Sequence, residues 1–271
     1  VPVGQFAQVG DHKLHYHELG KGKPLLFLHG SGPGASGYSN FKANASTFAA
    51  KGYRCLVLDI LGYGHSDKPV DVKYDLAFLA TTIAGFLDAL EIDSCSLVGN
   101  SMGGALAALV ALEYPERVEK LVLMAPGGLE STERYMEMKG IRTMLKVFFK
   151  EGVNEETMRR VFDLQLCEMK VDDVTLAERL AIATTQPKEV LKTLRVPHLS
   201  DRLEELNIPV LGFWGADDQF CPVSGATTLA TRCKDAEIVL LSRCGHWVMV
   251  EKQEIFDRTT LAFLKKGAEK A

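Results

Sequence analysis

The chain has 271 residues, of which 46% are hydrophobic and 24% charged, and its net charge at pH 7 is -4. A chain of this length can bury a substantial core, in one large domain or two small ones. Its weak negative charge gives no electrostatic footprint for nucleic acid or an anionic membrane, so the expected partner is a small molecule, with no nucleic acid and no membrane.

The N-terminal residues and the cysteines indicate the expected cellular location. The N-terminal residues lack the basic start and long apolar run of a signal peptide, although a leader removed earlier would leave no trace. No segment reaches the ~18 uninterrupted apolar residues of a membrane span. Six cysteines are widely spaced without a Cys-x-x-Cys pair, as expected for reduced thiols. We therefore expect a cytoplasmic protein with no cofactor and no metal; a homo-oligomer is compatible with the sequence.

Residues 12–17, near the N-terminus, have alternating polarity and include His15 and His17. These two would share one strand face, as a pair of metal ligands would, but no third ligand is evident. A solvated strand is the expectation for this segment.

Six apolar runs of strand length follow along the chain. They are continuous rather than alternating, which indicates burial on both faces, as in a parallel sheet. Helical patterns lie between several of them, for example over residues 74–90, and this alternation predicts a doubly wound α/β sheet. The runs cover residues 25–28, 55–58, 96–98, 121–124, 210–214 and 238–241.

A glycine-rich loop after the first run contains Gly-x-Gly-x-x-Gly from Gly32 to Gly37. Asp59 ends the next run, so a dinucleotide-binding loop is one interpretation. Pro33 argues against it, because proline lacks the N–H that would bind pyrophosphate. The loop is better explained as half of an oxyanion hole, in which an N–H near Gly32 and that of Met102 meet charge developing on a carbonyl oxygen.

The segment 99–103, Gly-Asn-Ser-Met-Gly, places Ser101 between a strand run and an apolar helical stretch that ends before Pro115. A nucleophile elbow requires this strand–turn–helix context. Gly99 and Gly103 suit it because strand and helix cross too closely for side chains, and the serine backbone is strained. A glycine-rich turn without catalytic function is the alternative.

Between residues 131 and 206 the alternation of strands and helices stops, and several amphipathic helices are predicted. We predict a core formed by residues 1–130 and 207–271 and a helical lid formed by residues 131–206, although ordinary packing helices would give the same pattern. One predicted helix carries apolar residues at helical spacing: Ile141, Met144, Leu145, Phe148 and Phe149.

A serine nucleophile needs a base to take its proton and an acid to orient that base, in the chain order Ser, Asp or Glu, His. His246 follows the last strand run, and Asp217 and Asp218 follow the run before it, where side chains reach the carboxyl edge of the sheet. Adjacent residues on an extended segment point to opposite sides, so only one aspartate can meet the histidine.

These segments resemble the α/β-hydrolases over nearly the whole chain. More narrowly, the chain is similar to the meta-cleavage product hydrolases, which cleave a carbon–carbon bond in 2-hydroxy-6-oxohexa-2,4-dienoates during bacterial aromatic degradation. The Ser-Gly-Pro-Gly loop at 31–34 and the Cys-Gly-His-Trp segment at 244–247 are the more specific matches. The other matching segments are 39–40, 59–66, 99–104 and 214–218 with Pro222.

The resemblance implies an α/β-hydrolase fold with a helical lid and a catalytic triad of Ser101, Asp218 and His246. It also implies four residues that hold the dienoate end of the substrate, among which an arginine suits a carboxylate because of its planar fork. The sequence departs from the family pattern at Leu180, Ala216 and Cys221. The four implied substrate-binding residues are Asn40, Asn100, Arg179 and Trp247.

The expected reaction is hydrolysis through Ser101, preceded by ketonisation of the dienol so that the departing fragment leaves as a stabilised enolate. A carboxylesterase or lactonase with the same triad is the alternative enzyme. A ligand receptor on a hydrolase scaffold is the alternative outside enzymes.

Overall fold

A computed structural model describes residues 4–266, in which eight strands form one sheet. The strands are β1 (Gln5–Val9), β2 (His12–Leu19), β3 (Lys23–Leu28), β4 (Tyr53–Leu58), β5 (Cys95–Asn100), β6 (Val118–Met124), β7 (Val210–Gly215) and β8 (Ala236–Leu241). Their order in the sheet is β1-β2-β4-β3-β5-β6-β7-β8. β2 is antiparallel to β1 and β4, and every other pair of neighbours is parallel, which confirms the predicted doubly wound sheet.

Helices cover both faces of this sheet. Those of the first half are α1 (Gly37–Ala49), α2 (Leu76–Ala89) and α3 (Met102–Glu113). Those of the second half are α9 (Ser224–Arg232), α10 (Val248–Glu251) and α11 (Gln253–Lys265). Between β6 and β7 lie α4 (Thr132–Glu137), α5 (Lys139–Lys146), α6 (Glu155–Gln165), α7 (Asp173–Ala183) and α8 (Lys188–Thr193).

Residues 131–206 contain these five α-helices, a π-helical turn at Val147–Glu151 and a 3₁₀ segment at Ser200–Glu205. The predicted helix that carries Ile141 and Phe149 is α5 with its π-helical continuation. A single bridge joins Arg195 to Asp75. No helix between residues 4 and 266 is both long and apolar enough to span a membrane.

Strand β3 shows why the apolar runs are continuous. Leu26 and Leu28 pack in the core on one face of the sheet, and Leu25 and Phe27 pack in the core on the other. Successive side chains of a strand point to opposite faces, so a strand covered by helices on both faces needs apolar residues at every position.

The expectation of a solvated N-terminal strand was wrong. β2 is the second strand of the sheet, and His15 and His17 are each only 6% exposed. Their rings pack edge to face at 5.0 Å, and the Nδ1 atom of His15 is 2.8 Å from the Asp59 carboxylate. The alternating pattern of β2 therefore comes from a polar face that neighbouring elements cover, and water does not cover it. In the described part of the chain, no group of three His, Cys, Asp or Glu side chains could hold a metal.

Candidate active site

A small cavity lies between the glycine loop, the end of β5 and helices of the 131–206 segment. Two predicted residues do not line it: Asp218 contacts His246, and Met102 begins α3 directly after the nucleophile candidate. The structure brings the other seven predicted site residues to this cavity: Gly32, Asn40, Asn100, Ser101, Arg179, His246 and Trp247.

Ser101 stands at the corner between β5 and α3 with φ 57° and ψ -118°, a backbone conformation that few residues with a side chain adopt. A Cβ on Gly99 would lie 2.3 Å from the Gly103 carbonyl oxygen, and one on Gly103 would lie 2.2 Å from the carbonyl oxygen of Leu28. The two flanking glycines are therefore required by the close crossing of strand and helix, as the elbow pattern predicts.

Asp218, not Asp217, is the aspartate that contacts His246. One Asp218 oxygen lies 2.7 Å from His246 Nδ1, and the other accepts hydrogen bonds from two backbone N–H groups, those of Phe220 and Cys221. The Asp217 carboxylate instead accepts from the backbone N–H of Cys244. Phe220 also stacks on the imidazole of His246, with ring centroids 5.1 Å apart, so the ring is fixed by both hydrogen bonding and packing.

Arg179, on α7, is 2% exposed and forms no ion pair with any acidic residue between positions 4 and 266. Its Nη1 donates to the Asn40 side-chain oxygen at 3.1 Å, and its guanidinium lies over the rings of Phe162 and Trp247 at 5.5 and 5.4 Å. Burial lowers the pKa of Arg179 to about 9. A buried cation without an anion is costly, which indicates that an anionic ligand completes this site.

Comparison with known proteins identifies the family to which the chain belongs. Residues 23–253 match the model of the alpha/beta hydrolase fold family. A 2-hydroxy-6-oxo-6-phenylhexa-2,4-dienoate hydrolase from Burkholderia cepacia is 37% identical, over 94% of this chain and 92% of that protein. A 2-hydroxy-6-oxononadienedioate/2-hydroxy-6-oxononatrienedioate hydrolase from Comamonas testosteroni is 35% identical, with the same coverage. The structure of a meta-cleavage product hydrolase from Pseudomonas fluorescens IP01 has a TM-score of 0.86 and 27% identity, over 97% of this chain and 98% of that one. This chain belongs to the meta-cleavage product hydrolases.

The dinucleotide interpretation fails in this hydrolase. The Asp59 carboxylate is 1% exposed and accepts hydrogen bonds from backbone N–H groups of Gly37 and His65 besides its contact with His15. It has no access to a ribose hydroxyl. The glycine loop is also covered by α7, because a Cβ on Gly34 would lie 1.9 Å from the Arg179 carbonyl oxygen.

The hydrolase has a neighbour of its serine that the sequence did not reveal. Cys221 lies close enough to Ser101 for the serine hydroxyl to act on the pKa of its thiol, and among the described residues no hydrogen bond joins Ser101 to His246. Burial raises the pKa of the Cys221 thiol, and the neighbouring Ser101 hydroxyl offsets this only in part. Catalytic hydrogen bonds are often long or misaligned in unliganded enzymes, so this arrangement is a resting one.

Gln165 is a second residue that sequence reasoning missed, because no motif surrounds it at the end of α6. It lines the cavity, is 5% exposed, and its side-chain oxygen has no hydrogen-bond partner among the described residues. Two further buried polar atoms of the cavity share this lack of a partner: Asn100 Oδ1 and Arg179 Nε.

Proposed function

We propose that this hydrolase cleaves the carbon–carbon bond of a 2-hydroxy-6-oxohexa-2,4-dienoate-type product of aromatic ring cleavage. The observation that carries the proposal is a buried arginine without an acidic partner in the same cavity as the elbow serine. Arg179 fits the substrate carboxylate, which a neutral ester or lactone lacks. The named activities of its relatives fit the same substrate class.

In this proposal Ser101 is the nucleophile, His246 the proton shuttle and Asp218 the group that orients His246. The proton of the substrate 2-hydroxyl first moves to C5 through His246, which converts the dienol into a 2,6-diketone. Ser101 then attacks the C6 carbonyl carbon while His246 takes its proton. The C5–C6 bond breaks, and its electron pair delocalises toward the C2 carbonyl as an enolate, which takes a proton from His246. Water activated by His246 releases the acyl group as a carboxylic acid.

The remaining predicted residues have supporting roles in this proposal. The backbone N–H groups of Met102 and Gly32 would stabilise the negative charge on the C6 oxygen, because the first residue of α3 has no intrahelical partner for its N–H. Asn40, Asn100 and Trp247 would hold the dienoate end with Arg179. Residues 131–206 would act as a lid that excludes water from the cavity.

Replacement of Arg179 by Gln tests the proposed substrate directly. We expect wild-type enzyme to bleach a yellow 2-hydroxy-6-oxodienoate, and Arg179→Gln to lower kcat/KM for it by about 100-fold through loss of a buried charge-assisted contact. Turnover of a neutral p-nitrophenyl ester, which has no carboxylate, should change by less than about threefold.

Ser101→Ala is the reference for this assay, with turnover expected to fall by at least about 1000-fold for both substrates. Efficient ester or lactone hydrolysis by the wild type, with dienoates of alkyl and aryl type left intact, would establish the esterase alternative instead. Tight binding of dienoates without repeated turnover would establish a receptor.

A further inference from the structure

We propose that Gln165 recognises the 2-hydroxyl group of the substrate, accepting a hydrogen bond from it beside the carboxylate held by Arg179. This inference rests on the proposed function and adds a substrate-contacting residue to it. Three properties of Gln165 carry it: its fixed position, its unsatisfied oxygen and its place beside Arg179.

Gln165 is fixed to the core although it belongs to the 131–206 segment. Its backbone carbonyl accepts a hydrogen bond from the N–H of Trp247 at 3.2 Å. The buried carboxylate of Glu251 holds the turn after α6 against the segment before His246. One of its oxygens accepts a hydrogen bond from the Gly245 N–H at 2.7 Å. The other accepts from three consecutive N–H groups of the turn, those of Cys167, Glu168 and Met169. The end of α6 is thereby connected to the segment that carries His246, and the Gln165 side chain has a defined place over the cavity.

The Gln165 amide oxygen is a buried acceptor without a hydrogen-bond donor among residues 4–266. The residue as a whole is 95% buried. Leaving such a group unsatisfied costs about 1 to 3 kcal/mol, so a side chain with only a packing function would favour an apolar residue here. The arrangement instead fits a ligand that brings an O–H or N–H donor to this point.

The position beside Arg179 identifies that donor. A Cβ built on Gly32 would lie 3.0 Å from Arg179 Nη2 and 4.0 Å from Gln165 Nε2, so the guanidinium and the nitrogen of the Gln165 amide group approach the same point above the glycine loop. The unsatisfied oxygen is the other polar atom of this amide group. In a 2-hydroxy acid, the hydroxyl is on the carbon next to the carboxylate. A carboxylate bound by Arg179 therefore presents its 2-hydroxyl toward the neighbouring amide.

Asn100 offers the other unpartnered carbonyl oxygen that lines the cavity among the described residues, and it lies beside the nucleophile. A Cβ built on Gly30 would be 3.4 Å from Asn100 Oδ1 and 3.3 Å from Ser101 Cβ. The Asn100 amide nitrogen also donates to the carbonyl of His246 at 3.4 Å. Asn100 would therefore meet the dienoate next to Ser101, and Gln165 would meet it next to Arg179.

A ligand pair that differs only in the hydroxyl tests this assignment. The two competitive inhibitors are saturated 6-oxoheptanoate and its 2-hydroxy derivative, neither of which the enzyme can cleave by the proposed route. Wild type should bind the 2-hydroxy acid about fivefold to tenfold more tightly, the value of one well-formed hydrogen bond. Gln165→Leu should remove this preference while its inhibition constant for 6-oxoheptanoate stays within about twofold of wild type, which also shows that the site is folded. Gln8→Leu, an exposed glutamine on β1, is the matched control and should keep the full preference.

Three results would overturn the inference: no preference in the wild type, an equal preference in wild type and Gln165→Leu, or an equal loss of affinity for both inhibitors in Gln165→Leu. In each case wild-type turnover of a dienoate would leave the proposed function standing. Failure of the wild type to cleave any dienoate would refute the proposed function itself.

Discussion

Two buried His–Asp pairs lie between residues 4 and 266, and they are almost the same in local geometry. In the first, His246 Nδ1 is 2.7 Å from Asp218; in the second, His15 Nδ1 is 2.8 Å from Asp59. Each carboxylate also accepts hydrogen bonds from two backbone N–H groups. A search for histidine–carboxylate contacts alone would select both.

The difference lies in what surrounds each imidazole. His246 lines the cavity that contains Ser101 and is stacked on Phe220. His15 is packed between the rings of His17 and His65. It also lines a cavity together with Ser36 and Ser39, but the Ser36 hydroxyl caps α1 and the Ser39 hydroxyl donates to the Ser36 carbonyl. The Asp59 carboxylate joins β2 to the start of α1 through the N–H of Gly37. The comparison teaches that an oriented imidazole beside a cavity becomes a base only where a serine on a strained strand–helix corner, such as Ser101, adjoins it.

Replacement of each aspartate by asparagine tests the difference between the two pairs with the largest expected effect. Asp218→Asn should lower kcat for the dienoate by about 10⁴-fold, because the amide leaves His246 in the wrong tautomer. Asp59→Asn should leave kcat within about fivefold of wild type but lower the free energy of unfolding by about 2 to 4 kcal/mol, through loss of a buried, hydrogen-bonded charge. Steady-state kinetics and urea unfolding of both variants provide the measurement.

A reversal of the two effects would contradict the comparison. If Asp59→Asn abolished turnover while it remained folded, the second pair would have a catalytic role that the structure does not suggest. If Asp218→Asn kept wild-type turnover, the proposed triad would be wrong.

Sequence reasoning predicted the sheet and the elbow because both are local. Continuous apolar runs follow directly from burial on two faces, and Gly99 and Gly103 follow from the close crossing of adjacent elements. It also placed Asp218 and His246 at the same edge of the sheet, since parallel strands end there together. The choice of Asp218 over Asp217 came only from family resemblance.

The failures all depend on packing between distant segments. The polar pattern around His15 indicates a strand but does not say whether water or Asp59 covers it. The position of Gln165 depends on the meeting of α6 with Trp247, 82 residues later, and no local pattern encodes that contact. Cys221 could be noticed as a departure from the family, but its contact with Ser101 is visible only in three dimensions.

Another buried histidine sharpens the comparison, because His29 has backbone partners on both ring nitrogens. Its Nδ1 donates to the carbonyl of Gly30 at 2.7 Å and its Nε2 accepts from the N–H of Ile60 at 3.1 Å, which requires the neutral ring. Burial lowers the pKa of His29 from 6.5 to about 4. Below pH 6.5 the His29 side chain is protonated in the unfolded chain, whereas in the folded chain it stays neutral down to about pH 4. The free energy of unfolding therefore falls as the pH falls through this window, by about 3 kcal/mol at most.

Urea unfolding across this window measures the effect. His29→Gln should be less stable than wild type near neutral pH, and the difference should shrink toward about pH 4. His198→Gln, which changes an exposed histidine, should follow the wild-type slope. A constant difference between His29→Gln and wild type at every pH would show that His29 does not contribute to the acid sensitivity.

The smallest expected effect concerns Cys221, a cysteine that lies next to the His246–Asp218 pair. The Ser101 hydroxyl lies beside this thiol, and a hydrogen bond between the two would have to break before the hydroxyl turns to His246. Cys221→Val removes the acceptor at similar volume, and we expect a serine-directed fluorophosphonate to inactivate this variant about two to five times faster than wild type, with unfolding free energy within about 1 kcal/mol. Cys233→Val, a buried cysteine at the end of α9, controls for thiol loss and should react at the wild-type rate. Slower inactivation of Cys221→Val would mean that the thiol aligns Ser101 for attack, in which case the resting contact is part of the productive geometry and the two His–Asp pairs differ by one more functional group.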